Sequence, residues 1–299
     1  MNIGLVDVDG HNFPNVPLMK LSAYYKDLGH NVEWANNLKC YDKVFMAKVF
    51  DFTPDDLTAY QTNELIQGGT GYDMSITLPK EVEHYYPDYE LYGITDTAYG
   101  YLTRGCPRHC PFCIVADKEG VQSVKVADLK EFWNGQKKIK LLDPNILACK
   151  DWKSLLTQLI DSRAEVDFTQ GLDARLLTDE KVEVLKECKY KMLHFAWDNA
   201  NDDYTPKMLE KYRDKWGLRQ CRLKVYVLTN YNSTHEQDLY RIYKLKDMGY
   251  DPYVMVFDKY NAPVETRHLQ RWCNSKIIFN SVPRFADYNQ SFKANKVGE

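Results

Sequence analysis

Three cysteines lie within eight residues in the stretch RGCPRHCPFCIV: Cys106, Cys110 and Cys113, separated by three residues and then by two. Cysteine sulfur selects soft metals, namely zinc, copper(I) or iron–sulfur clusters. Together with His109 the loop offers three sulfurs and one imidazole, an allowed tetrahedral zinc set. Zinc sites usually combine ligand pairs from separated segments, whereas all four donors here come from one short loop. A four-iron cluster needs less wrapping, because its irons sit at the corners of a cube and a compact loop reaches three of them. All-protein ligation uses four cysteines, so the missing fourth is either a defect or an open coordination site. The other five cysteines (Cys40, Cys149, Cys188, Cys221 and Cys273) stand singly among apolar or mixed neighbours. They are expected to be buried small hydrophobes.

The elements that must position such a loop are legible in the alternation of patterns. With 299 residues the chain suits one large domain or two ordinary ones. The first ninety residues begin with the strand NIGLVDV, then the loop DGHNFPNVP and a helix carrying Leu18, Leu21, Tyr25 and Leu28, with Gly29 as its stop. HNVEWA and YDKVFMAKVF read as strands, PDDLTAYQTN as a short helix, and ELIQGG as a strand running into a glycine turn. This describes a small open-sheet, Rossmann-like α/β domain at 1–92. From Thr97 six strands follow: TAYGYLT, KIKLL, EVDFT, KMLHFA, RLKVYVL and PYVMVF. Helical patterns lie between them. One has a stripe of Trp152, Leu155, Leu156, Leu159 and Ile160. A second is capped by Thr205 with Pro206 in its first turn, and a third by a Ser233/Glu236 capping box, with Gly249 closing it. Six strand–helix units are too few for an eightfold barrel, so the expected fold class is α/β with a partial (β/α)6 barrel at 93–290 and a tail at 291–299.

In such folds chemistry sits at the carboxyl ends of the strands. There the sequence places Arg104 and the cysteine loop, then Asp143 and Asn145, then Gln170, Asp173 and Arg175. Trp197, Asp198 and Asn199 follow the fourth strand, Thr229, Asn230 and Asn232 the fifth, and Asp258 and Asn261 the sixth.

The C-x3-C-x2-C motif after the first barrel strand, with Phe112 before the last cysteine, resembles the radical S-adenosylmethionine (radical SAM) superfamily. The resemblance covers 97–285, about two-thirds of the chain. It implies a [4Fe-4S] cluster on Cys106, Cys110 and Cys113, with the methionine amine and carboxylate of S-adenosylmethionine on the open iron. It also implies that one electron cleaves the sulfonium to methionine and a 5′-deoxyadenosyl radical. An electron donor such as a flavodoxin or ferredoxin follows from the same resemblance. Where many members carry a Gly-Gly-Glu-type motif this chain has LLDPNIL, so Asp143 and Asn145 stand as substitutes. TQGLDARLL resembles the segment that contacts the cofactor ribose and carboxylate, which makes Arg175 a partner for the carboxylate and Gln170 or Asp173 for a ribose hydroxyl. Phe112 and Asp198 complete the expected cofactor pocket.

A small α/β domain ahead of the barrel is similar to a cobalamin-binding (B12-binding) domain. DGHNFP partly matches the D-x-H-x-x-G pattern whose histidine, here His11, ligates cobalt, with Pro14 in place of the glycine; GGTG at 68–71 matches a glycine pair. The expected role is a degenerate domain acting as lid or substrate platform, with cobalamin-dependent methyl transfer as the alternative within the enzyme class. Outside that class stands a non-catalytic iron–sulfur or zinc protein that senses redox state or binds a partner. A net charge of −3 gives no global field toward nucleic acid or an anionic membrane. No basic stripe interleaved with aromatics argues for RNA, and no apolar run is long enough to span a bilayer. The chain opens on a strand-like run and not a signal peptide, so a cytoplasmic location is expected. The substrate, a small molecule or a peptide, is not written in these patterns.

Overall fold

The structure, a computed structural model, describes residues 1–10 and 13–289. His11 and the tail at 291–299 lie outside the described residues. The chain separates into two compact units, Met1–Asp167 and Phe168–Glu299, and the boundary expected at 92/93 falls inside the first. Both units are α/β and built on parallel strand pairing.

The first unit opens with β1 (Asn2–Asp7), α1 (Val16–Asp27), β2 (Asn31–Trp34), β3 (Cys40–Ala47) and β4 (Gln61–Gly68), in the sheet order β2-β1-β3-β4 with every pair parallel. Strand periodicity sorts its apolar residues onto two faces. Ile3, Leu5 and Phe45 pack with Leu18, Leu21 and Val82, while Val6, Val44 and Met46 pack with Tyr41 on the opposite face. Asn15 caps α1 by accepting the Leu18 N–H (3.2 Å). The short helix expected over 54–63 is absent. Asp56 instead accepts the Thr58 N–H and the Tyr60 hydroxyl (both 2.9 Å), a local turn that competes with helix. Leu57, the apolar residue such a helix would bury, is 92% exposed.

After α2 (Lys80–Glu83) the strand expected over TAYGYLT proves to be two, β5 (Thr97–Gly100) and β6 (Thr103–Arg104). The break is made by the buried carboxylate of Asp143, which accepts the N–H groups of Leu102 (2.9 Å) and Thr103 (2.6 Å) and the Thr103 hydroxyl (2.6 Å). β6 then pairs antiparallel with β7 (Val124–Lys125), and α3 (Val115–Glu119) lies in the excursion between them. β8 (Lys138–Leu141), α4 (Trp152–Ser162) and β9 (Glu165–Phe168) complete the sheet order β5-β8-β9. Leu155, Leu156 and Leu159 bury the expected stripe of α4. The outer edge of β5 is closed by the Tyr89 hydroxyl, which accepts the Tyr99 N–H (2.9 Å) and donates to the Phe132 carbonyl (2.6 Å).

The second unit contains α5 (Asp179–Glu187), β10 (Leu193–Ala196), α6 (Tyr204–Tyr212), β11 (Leu223–Thr229), α7 (His235–Asp247), β12 (Asp251–Val256), α8 (Val264–Asn274) and α9 (Lys276–Ser281). Its sheet runs β10-β11-β12, all parallel. Ile242, Val254, Leu269, Trp272, Phe279 and Phe285 form one core cluster. Both expected caps are displaced. α6 starts at Tyr204, and Asp202 rather than Thr205 accepts the first N–H groups, those of Tyr204 (2.9 Å) and Thr205 (3.1 Å). The capping box of α7 is Thr234/Gln237, one residue beyond the expected Ser233/Glu236, because the Ser233 hydroxyl is donated to Asp238 (2.6 Å). Of the five scattered cysteines, Cys149, Cys188 and Cys273 are buried as expected, but Cys40 and Cys221 are exposed. Cys40 opens β3 at the sheet's amino edge, and Cys221 lies in a turn just before β11.

Candidate functional site

The cysteine loop is an excursion that leaves the fold at β6 and returns at β7. Its neck is narrow. Thr103 faces Lys125 and Arg104 faces Val124 across the antiparallel bridge. Just inside, the Cys106 N–H donates to the Gly120 carbonyl (3.1 Å). Glu119, at the end of α3, takes the Gly105 N–H on one oxygen (3.1 Å) and the Arg104 guanidinium on the other (3.0 Å). That guanidinium lies over the Tyr101 ring, 4.1 Å from its centre. Gly105 has φ +82°, a left-handed conformation, and a Cβ there would overlap the Gln122 carbonyl oxygen and come within 3.0 Å of that of Gly120. A glycine ahead of the first cysteine is therefore what lets the neck close.

Within the loop, His109 also has positive φ (46°), and the Cys113 N–H donates to the Cys110 carbonyl (2.9 Å), so the chain folds back between these two cysteines. Cys106, Cys110 and Cys113 are half-buried thiols, and Phe112 sits half-buried in the turn between the last two. Asn145 reaches this loop: its side-chain amide nitrogen lies 3.5 Å from the Cys106 sulfur, and its backbone carbonyl accepts the Ser123 hydroxyl (2.8 Å). Asp143 is brought to the same place but faces the strand that enters the loop. Burial pushes its carboxyl up to about 7, while the Thr103 and Leu102 donors pull the other way.

The remaining expected residues belong to the second unit. Gln170 is exposed in the turn after β9. Asp173 and Arg175 face each other: the carboxylate takes Nε at 2.8 Å, Nη2 at 3.3 Å and the Arg175 N–H at 3.2 Å, a two-pronged pair. Asp198 follows β10 and accepts the Leu228 N–H (3.2 Å). Burial pushes it up to about 6 against that bond and the charges of Arg241 and Arg175. Trp197 is buried, and Asn199 is exposed. In the loops after β11 and β12 the Asn230 amide donates to the Phe257 carbonyl (2.9 Å), and Asn261 donates to Asp258.

Two features escape the sequence reading. The first is Arg241, wholly buried, which donates to the carbonyls of Trp197 (2.9 Å), Asp198 (2.9 Å) and Leu228 (2.7 Å) and pairs with Asp238. An Asp–Arg pair three residues apart on a helix reads as a solvated surface pair, and only its burial reveals that it holds the carboxyl ends of β10 and β11. The second is Glu119 at the loop neck, which looks like one more charge in ADKEG. Its partner Gly105 was the available signal.

Among the described residues no group of three or more His, Cys, Asp or Glu side chains is gathered as around a single ion. The fit of the loop to a metal group therefore rests on the chemistry of its donors. Three thiols with an amide N–H donor beside one of them suit a soft metal group whose sulfur ligands accept hydrogen bonds. The inert contrast is Cys188 and Cys273, whose thiols burial pushes up to about 12. Comparison with protein-family models and with curated proteins returns no match to this chain. Among the described residues no helix is long and apolar enough to cross a membrane.

Proposed function

We propose that the protein is a radical SAM enzyme, binding a [4Fe-4S] cluster through Cys106, Cys110 and Cys113 and acting on a small-molecule or peptide substrate. The observation that carries this reading is the loop itself: three half-buried thiols in the C-x3-C-x2-C order, on an excursion with a closed neck at the end of β6. When bound, the cluster with S-adenosylmethionine supplies reductive cleavage of the sulfonium and hence a 5′-deoxyadenosyl radical for hydrogen abstraction. The chain's own residues do the holding. Glu119 and Arg104 keep the neck shut, Asp143 fixes the turn of backbone that enters it, and Asn145 offers a hydrogen bond to the Cys106 sulfur. In the second unit Arg175, oriented by Asp173, presents a guanidinium suited to a carboxylate, and Asp198 an acceptor for a hydroxyl or amine. An electron donor of the flavodoxin or ferredoxin type is the partner this chemistry needs.

Bound metal is the test. Anaerobic reconstitution should leave about four iron and four acid-labile sulfide per chain, and each of Cys106→Ala, Cys110→Ala and Cys113→Ala should lower both sharply. Stoichiometric zinc with no sulfide in the isolated protein would overturn the cluster reading.

A further inference from the structure

The amino-terminal sheet has the order of an open parallel sheet whose direction of winding reverses between β1 and β3. Such sheets take ligands in the crevice beyond the carboxyl ends of the strands at that point. At that point in this chain the loops after β1 and β3 bind one another. Asp9, just past β1, accepts the N–H groups of Val49 and Phe50 and the Thr53 hydroxyl. Lys48, just past β3, is buried, paired with Asp55 and placed 4.6 Å from the centre of the Tyr72 ring. The GGTG glycines press on this same segment. A Cβ on Gly69 would overlap the Lys48 carbonyl, and one on Gly71 would stand 2.7 Å from the Phe50 carbonyl oxygen. The close approach that only glycine permits is thus used to pack two loops of the domain together, where a cofactor-binding domain would use it to admit a ligand.

What this domain does hold is the cysteine loop. Lys118, on α3 between the last cysteine and the neck, donates to the carbonyls of Met74 (2.7 Å) and Ile76 (2.9 Å) in the segment after β4. Glu83 of α2 lies 3.5 Å from the Arg104 guanidinium, whose other branch is bound to Glu119, and Lys20 of α1 is bound to Glu83. A chain of contacts therefore runs from α1 through α2 to the neck, and a second joins the segment after β4 to the helix that ends the loop. Lys118 is well placed to latch the loop because an ammonium can satisfy two carbonyls at once and gives hydrogen bonds of the charge-assisted kind.

We propose that the amino-terminal domain is a clamp for the cysteine loop rather than a cofactor-binding module, with Lys118 and the Glu83–Arg104–Glu119 chain as its positioning residues. The consequence for a bound cluster rests on the radical SAM reading; the clamp itself does not.

The test uses the full chain without metal, reduced, and follows the alkylation rate of each cysteine by mass spectrometry. Lys118→Met keeps the stem and removes the donors. It should speed alkylation of Cys106, Cys110 and Cys113 by roughly tenfold, the scale of one lost charge-assisted hydrogen bond in a local opening. Cys40 and Cys221, exposed and not part of the loop, should keep their wild-type rates. Lys118→Arg, which still reaches two carbonyls, should restore slow alkylation, and Glu83→Gln should reproduce part of the Lys118→Met effect. Unchanged rates at the loop cysteines in both Lys118→Met and Glu83→Gln would overturn the clamp, and so would an equal rise at the buried Cys149, Cys188 and Cys273. Because no iron is involved, a failed clamp remains distinguishable from a failed cluster assignment, which metal analysis of the wild type reads by itself.

Discussion

Asp143 carries its carboxyl group in a fully buried place, where three donors converge on two oxygens and burial opposes its ionisation. Its value rises from an ordinary 3.8 to about 7, with desolvation the largest cause. The folded chain therefore holds this proton more tightly than the unfolded chain does. The resulting stability is fully present below about pH 4 and is lost as pH rises through about 7. Asn is a neutral stand-in for the protonated form and does not titrate. We expect the advantage in Tm of wild type over Asp143→Asn to be largest near pH 4 and to shrink steadily towards pH 8. An advantage that is constant, or that grows with pH, would mean the three donors win and Asp143 is ionised throughout. Its place past a strand end was legible in LLDPNIL. Its task was not, since a sequence does not tell which way carboxylate oxygens turn. The same holds for Asp173 and Arg175, whose mutual pairing became visible only with their geometry.

The loop as an element depends on its neck. Gly105→Ala meets two costs: a left-handed conformation worth about 1–2 kcal/mol for a residue with a Cβ, and overlap with the Gln122 carbonyl. Gly120→Ala meets a backbone cost alone, because φ +99° and ψ 166° lie in a region essentially reserved for glycine while nothing stands within 4 Å of its Cβ position. We expect both variants to melt below wild type, and only Gly105→Ala to lose most of its capacity to take up iron on reconstitution. Equal iron content in the two would show that the neck need not be closed. Elements were legible where periodicity was strong. The stripe of α4 and five of the six strands from Thr97 onward correspond to what the pattern implied. They were illegible where side chains compete with the backbone: Asp56 in place of a helix, Asp143 splitting one strand into β5 and β6, Asp202 taking over a cap from Thr205. A short carboxylate bonded to nearby N–H groups leaves no periodic trace.

For the whole molecule, the α/β class and the parallel pairing follow from strand–helix alternation, and the three clustered cysteines stood out from the other five by spacing alone. The role of the amino-terminal sheet was harder to read, because GGTG and DGHNFP have the pattern of ligand-binding loops, whereas the packing of the GGTG glycines on Lys48 and the Phe50 carbonyl, and the bonds of Asp9 to the Val49 and Phe50 N–H groups, leave no trace in the sequence. The central claim is that these parts serve radical chemistry, and 5′-deoxyadenosine is its most direct product. Anaerobically reconstituted protein would be given dithionite and S-adenosylmethionine, and the nucleoside quantified against a Cys106→Ala/Cys110→Ala/Cys113→Ala variant. We expect the wild type to form 5′-deoxyadenosine and the triple variant none. A wild type that holds its full complement of iron and sulfide, yet forms no more of the nucleoside than the triple variant, would contradict it.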